Sequence, residues 1–251
     1  MQKMICIIVF MLIILLQIPV VASESLQEQP VVLKINQYYI LYMYPAAPFI
    51  DESGSLMIPL RSFTELMGGT LTYKPKTHIA QVEIGEKSAD INLNQKSITL
   101  IKDAAFIKLR TLLNQLNLSS EWDSNNTLLK INQPDLMLHE GIRTFEGMRS
   151  SADNENAFDL ISFIIKPGPR NYETTLEIKA KNITGSDIGE GKEDLQVGFL
   201  FNDNTLSCEP YTKSGHIRKF VGRDQVITQR TVFQHYDKLF AIVALGRTIA
   251  N

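Results

Sequence analysis

The stretch Met57-Ile-Pro-Leu-Arg-Ser-Phe is answered 49 residues later by Phe106-Ile-Lys-Leu-Arg-Thr-Leu. The correspondence holds in register until Tyr73 falls beside Trp122. The first half of the chain is therefore a duplicated unit. In copy one Leu60, Phe63 and Met67 recur at helical spacing, and in copy two Leu109, Leu112, Leu113 and Leu116 do so. One short amphipathic helix is predicted in each copy. Gly68 and Asn117 stand at the equivalent place just after those helices, and both residue types tolerate the left-handed conformation that ends a helix.

Past each helix the pattern switches to period two. Leu71 and Tyr73, then Ala80, Val82 and Ile84, alternate with polar Thr72, Gln81 and Glu83, which buries one face of a sheet. In copy two Trp122-Asp-Ser-Asn-Asn-Thr leads into Leu129-Lys-Ile131, read as strand, turn and strand, with Asn and Asp supplying the turn chemistry. Runs at 31–35, 39–44, 89–93 and 97–101 add further short strands. The predicted first domain, residues 31–133, is an α+β unit of antiparallel sheet packed on two short helices.

Phe49-Ile-Asp followed by Met57-Ile-Pro-Leu-Arg-Ser-Phe-Thr-Glu-Leu-Met-Gly-Gly-Thr-Leu-Thr-Tyr resembles the amino-terminal stalk domain of bacterial copper amine oxidases. The resemblance spans residues 31–131, and its most specific part runs from Pro-Leu-Arg to Gly-Gly. Copy two departs from it by placing Lys108 where copy one has Pro59. The resemblance implies an exported, non-catalytic module of bacterial cell surfaces; it does not imply an oxidase.

Before this unit, Lys3 precedes an apolar stretch from Met4 to Ile18 that ends in Pro19-Val-Val-Ala22. These are the basic, greasy and small-residue parts of a secretory signal, predicted as residues 1–22 with cleavage after Ala22. The competing reading is a retained anchor, because the run to Val21 approaches a membrane-spanning length. The expected location is secreted or cell surface. Cys6 lies in the signal, which leaves Cys208 alone and no internal disulfide. With 25 Lys and Arg against 27 Asp and Glu, the chain lacks the cationic excess that nucleic acid binding needs. Its 44% apolar content excludes disorder. The Asn-x-Ser/Thr tripeptides at Asn117, Asn125 and Asn182 arise easily by chance.

No catalytic constellation emerges, and no cofactor or metal is expected. His78, His139, His216 and His235 are isolated, with no pair at a spacing that aims two imidazoles at one ion. Gly168-Pro-Arg-Asn171-Tyr172-Glu173 resembles a quinone-forming motif, but Gly168 replaces its threonine, and the stretch reads as a turn entering a strand. Cys208 with His216 or His235 forms a thiol pair in principle, against the plainer reading of a buried cysteine. Glu193-Asp194 is placed in a solvated loop. The possible ligand contacts are Arg61 and Arg110, which occupy the same place in both copies, and Tyr39 and Tyr42. The last two belong to a tyrosine cluster, Tyr38, Tyr39, Tyr42 and Tyr44, that would stack on sugar rings if its strand lay at a sheet edge. The structural alternatives are arginine stems lying over core residues and half-buried strand tyrosines.

Residues 134–156 read as a connector. Beyond it, Leu176, Ile178 and Ala180 alternate with Glu177, Lys179 and Lys181, and apolar runs at 158–165, 195–201, 226–233 and 239–245 supply more strands. The expectation for 157–251 is an all-β sandwich, the immunoglobulin-like arrangement being one form of it. Function is expected to be a non-enzymatic envelope module that binds cell-wall polysaccharide or a surface protein. The alternatives are an accessory or inhibitory subunit of an exported enzyme, or a hydrolase assembled from His216, His235, Glu209, Asp224 and Asp237.

Overall fold

A computed structural model of the chain describes residues 31–123, 127–134, 138–147, 151–168, 170, 172–202, 205–208, 218–234 and 238–250. The predicted signal lies outside them. Two strands, β1 (Val32–Ile35) and β2 (Tyr38–Met43), precede the duplicated unit. Copy one runs β3 (Phe49–Ile50), β4 (Leu56–Pro59), α1 (Leu60–Leu66), β5 (Thr70–Lys74) and β6 (Ile79–Ile84), followed by β7 (Lys87–Asn92). Copy two runs β8 (Ile98–Ile101), β9 (Ala104–Lys108), α2 (Leu109–Gln115), β10 (Glu121–Asp123) and β11 (Leu128–Ile131).

The repeat folds back on itself about a local twofold. Strands β4 and β9 pair antiparallel with Ile58 opposite Ile107, Met57 opposite Lys108 and Pro59 opposite Phe106. Ile58 and Ile107 are equivalent residues of the two copies, and the 49-residue offset exchanges the flanking pairs. Both helices end alike. Gly68 and Asn117 carry φ of 72° and 50°. The amide of Gly69 reaches back to the Thr64 carbonyl at 2.9 Å, and that of Leu118 reaches the Leu113 carbonyl at 2.8 Å. Each is the six-residue closure that satisfies a terminal carbonyl. Gly69 is further required because a Cβ there would meet the Glu83 carbonyl. Lys108 bonds to the other copy, donating from Nζ to the Ser53 hydroxyl at 2.9 Å and standing 3.7 Å from Asp51.

The copies diverge at their third strand. In copy one β7 lies antiparallel to β6, whereas in copy two the equivalent flank of β11 is filled by β1, running parallel with Val32 opposite Leu128. Through β1 the sheet keeps growing. The second half supplies α3 (Glu140–Gly147), β12 (Ala152–Asn154), β13 (Phe158–Pro167), β14 (Glu173–Asn182), β15 (Glu193–Phe201), β16 (Leu206–Cys208), β17 (Val226–Gln234) and β18 (Leu239–Ile249). An eight-stranded sheet runs β10-β11-β1-β2-β18-β15-β16, with β12 also on β18. The remaining second-half strands form a separate sheet, β13-β14-β17.

Alternation along the central strands feeds two different cores. Tyr38 and Ile40 of β2, with Ala241, Val243 and Leu245 of β18, join the repeat's helices in one cluster. Tyr39 and Leu41, with Ile242 and Ala244, face the three-stranded sheet in the other. The described residues are thus mostly β with three short helices, and the long sheet packs on both faces. The connector expected at 134–156 contains α3, whose Ile142 and Phe145 enter the first cluster. The face-to-face sheet pair is not confined to 157–251, because β1, β2 and β11 of the first half contribute to it. Leu60 and Leu109, the repeat's paired helix leucines, are both 1% exposed.

Candidate functional site

The tyrosine cluster does not sit at an edge. Strand β2 lies between β1 and β18, so adjacent tyrosines point into opposite cores. Tyr39 is 1% exposed and cannot present its ring to a sugar, which corrects the expectation for that residue. Its hydroxyl lies within donating distance of Asp159 Oδ1 (2.7 Å) and the Phe158 carbonyl (3.0 Å), and accepts from Lys34 Nζ at 3.0 Å. Burial pushes the phenol pKa far up, and the Asp159 charge adds to the push. Burial also lowers the pKa of Lys34, with Asp159 opposing. Tyr42 is half-buried against the second core, and that burial, followed by Tyr44, raises its pKa. Tyr44 is covered by Lys238, whose Nζ stands 3.6 Å from the ring centroid, a cation–π contact.

Arg61 and Arg110, at equivalent places in α1 and α2, are both exposed. Arg61 stands 3.6 Å from Glu65 one turn on, a surface pair of small energetic weight. In copy two Asn114 replaces that glutamate. Both guanidiniums reach solvent, but the two helices diverge in what they set beside them.

The residues that the duplication makes most conspicuous are Tyr73 and Trp122. They occupy the same position on β5 and β10, opposite Ala80 and Leu129 respectively. Each is 42% exposed. Strands β5 and β10 end their respective sheets, so each aromatic stands on an edge strand opposite a buried neighbour, and the Tyr73 hydroxyl lies 3.3 Å from His78 Nδ1. The signal for this pair was present in the repeat register, where Tyr73 falls beside Trp122.

Glu193 and Asp194 are not in a solvated loop. They begin β15 and are 3% and 0% exposed. Asp194 faces Arg247 across to β18, accepting from Nε at 2.6 Å, and Arg218 reaches its other oxygen at 3.2 Å. Burial pushes the Asp194 carboxyl pKa up, and the two guanidiniums pull against it. The cluster pins the β15–β18 pair where both strands are interior.

The remaining candidates disperse. His216, His235, Glu209 and Asp237 lie outside the described residues. Asp224 sits in a turn, 3.2 Å from Lys181 and 3.5 Å from Arg223. His139 accepts from the Gly141 amide at 3.1 Å and packs on Phe240, and burial lowers its pKa. Burial pushes the Cys208 thiol up to about 11. Gly168 bonds back to Glu173 at 2.8 Å at the entry to β14, the turn expected of that stretch. Among the described residues no three His, Cys, Asp or Glu gather as a metal site, and no helix is long and apolar enough to cross a membrane.

Residues 34–131 match the family model described as copper amine oxidase N-terminal domain. That domain is a non-catalytic stalk, and the match covers this segment and not the whole chain. No curated protein and no solved structure matches the chain.

Proposed function

We propose that the protein is a non-catalytic module of a bacterial envelope that binds cell-wall polysaccharide, with Tyr73 and Trp122 as paired stacking platforms. The observation that carries this reading is the duplication of a half-exposed aromatic at one position of both copies. Aromatic faces offer sugars an apolar platform at low entropic cost, and two equivalent platforms on one rigid unit engage a repeating polymer bivalently. The predicted signal at 1–22 supports export, and the stalk-domain match supports a module without chemistry of its own. The β-sandwich formed by the long sheet and β13-β14-β17 serves in this reading as the support.

Retention on purified wall material tests it. Tyr73→Ala with Trp122→Ala is expected to abolish retention, each single variant to weaken it at least tenfold, and Tyr42→Ala to leave it unchanged. Retention no greater than that of an unrelated acidic protein removes the proposal. A second reading, an accessory subunit, draws on β17, which ends its sheet and exposes Val226 and Val232. Such an edge can accept a partner's strand. Co-purification with an exported hydrolase, lost on Val232→Lys, would favour that reading.

A further inference from the structure

Strand β17 ends the β13-β14-β17 sheet on one side, and β13 ends it on the other. An open edge is a template for another strand, and proteins blunt it with bulges, prolines and charges. Edge β13 is blunted in this way: its register shifts between Leu160 and Ser162, and it finishes in Lys166-Pro167. Edge β17 is not. It pairs with β14 in unbroken register from Val226 to Gln234, without glycine or proline and with Arg230 as its single charge.

That register decides which backbone groups are left over. The Asn182 amide donates to the Gln225 carbonyl at 2.9 Å. Gln225, Ile227, Gln229, Thr231 and Phe233 therefore bond to β14, while the amides and carbonyls of Val226, Thr228, Arg230 and Val232 point the other way. Among the described residues none of those four has a backbone partner on that side. Their side chains stand on the outer face, where Val226 is 45% and Val232 43% exposed. The inner face carries Ile227 and Phe233 with two polar residues between them, Gln229 and Thr231. Among the described residues Gln229 Oε1 and Thr231 Oγ1 are buried without a hydrogen-bond partner, a cost that an added donor relieves.

We propose that β17 is the twofold interface of a homodimer, pairing antiparallel with β17 of a second copy so that Gln229 stands opposite Gln229. The side chains select this register. Centred there, Val226 of each copy lies opposite Val232 of the other, and Arg230 lies opposite Thr228. Each exposed valine is covered by a valine, and every outward-facing amide and carbonyl of the four residues is paired. A glutamine amide both donates and accepts, so the two Gln229 side chains, turned to each other across the axis, supply the partner that the single chain lacks. Thr231 stands one diagonal step away, within reach of the same side chain. Sliding the pairing by two residues one way sets Arg230 against Arg230, which is repulsive. Sliding it the other way sets Val226 against Arg230 and Val232 against Asp224. A patch that fits itself makes a closed pair. The dimer stands without the polysaccharide reading, and it competes with the accessory-subunit reading for the same edge.

Sedimentation velocity of the protein across the micromolar range tests it, with a concentration-dependent dimer expected. Thr228→Lys sets a lysine against Arg230 on both sides of the axis and should weaken the dimer at least tenfold. Thr228→Glu should tighten it severalfold, the gain vanishing in high salt. In a Cys208→Ser background, Gln229→Cys should give a disulfide-linked dimer on oxidation and Arg230→Cys should not, because this register brings only the former pair within bridging distance. Thr228 is exposed, so its variants read the interface even if Gln229→Cys fails to fold. A monomer throughout would overturn the proposal and leave the edge to another protein's strand. A dimer indifferent to both Thr228 variants, or cross-linking through Arg230→Cys alone, would overturn it as well.

Discussion

Removing Asp194 should destabilise the protein more than removing almost any other polar group. The carboxylate is 0% exposed and receives Arg247 at 2.6 Å and Arg218 at 3.2 Å, and Arg247 is itself 0% exposed. Asp194→Ala would leave the Arg247 guanidinium in the interior without the carboxylate that binds its Nε, with Glu155 standing 3.9 Å away. Breaking a buried pair by deleting one partner costs about 3–5 kcal/mol. That is a large share of a total stability of about 5–15 kcal/mol. With a urea slope of roughly 2–3 kcal/mol/M, the unfolding midpoint should fall by about 1–2.5 M. Asp194→Asn keeps the shape and loses the charge, so it should recover only part of the loss. The double variant Asp194→Leu with Arg247→Met removes the fully buried pair and leaves only the partly exposed Arg218 to turn to solvent, so it should recover most of the loss, because a packed apolar pair replaces a buried ion pair at little cost. A double variant as unstable as Asp194→Ala, or an alanine variant within about 1 kcal/mol of wild type, would show that the pair is not buried as described.

Two further outcomes follow from burial of titratable groups. The folded pKa of His139 lies below its ordinary value, so the unfolded chain binds the proton first and stability falls as pH drops through about 6.5. His139→Gln should flatten that part of the stability–pH curve; an unchanged curve would contradict the burial. The Cys208 thiol, pushed up to about 11, holds roughly a hundredth of the thiolate of an unperturbed cysteine near pH 8. Alkylation in the folded protein should be about a hundredfold slower than in urea, and equal rates would refute the assignment.

The repeat was legible because duplication makes the sequence its own control: equivalent helix starts, left-handed stops at Gly68 and Asn117, and the Tyr73–Trp122 pairing all lie on one register. Strand β14 was legible as well, since an outer-layer strand alternates, and Leu176, Ile178 and Ala180 face the core. Burial of β2 was harder to read. Tyr38 and Tyr39 look like one surface cluster when side chains are counted along the chain, yet a central strand sends neighbours into different cores. The unbroken apolar run at 239–245 carried the hint, because a strand buried on both faces has no polar side to alternate with. That β18 then pairs with β2, from the far end of the sequence, is a tertiary choice that no local pattern encodes. Asp194 was misplaced for a similar reason. A Gly-containing polar stretch precedes it, and its partner Arg247 lies on a distant strand. Helix α3 offered only Ile142 and Phe145 as periodic positions, too few to separate it from a connector.

The central structural claim is that the two halves share one sheet, so that they lose structure together. Ile40 on β2 is fully buried and faces Leu33 on one side and Val243 of the second half on the other. Truncating it to alanine should cost about 2–5 kcal/mol. Amide hydrogen exchange in the Ile40→Ala variant is the direct test. Protection of β15 amides, deep in the second half, should fall by the same free energy as that of β1 amides; β15 protection unchanged while β1 protection falls would mean two independent domains and contradict the shared sheet.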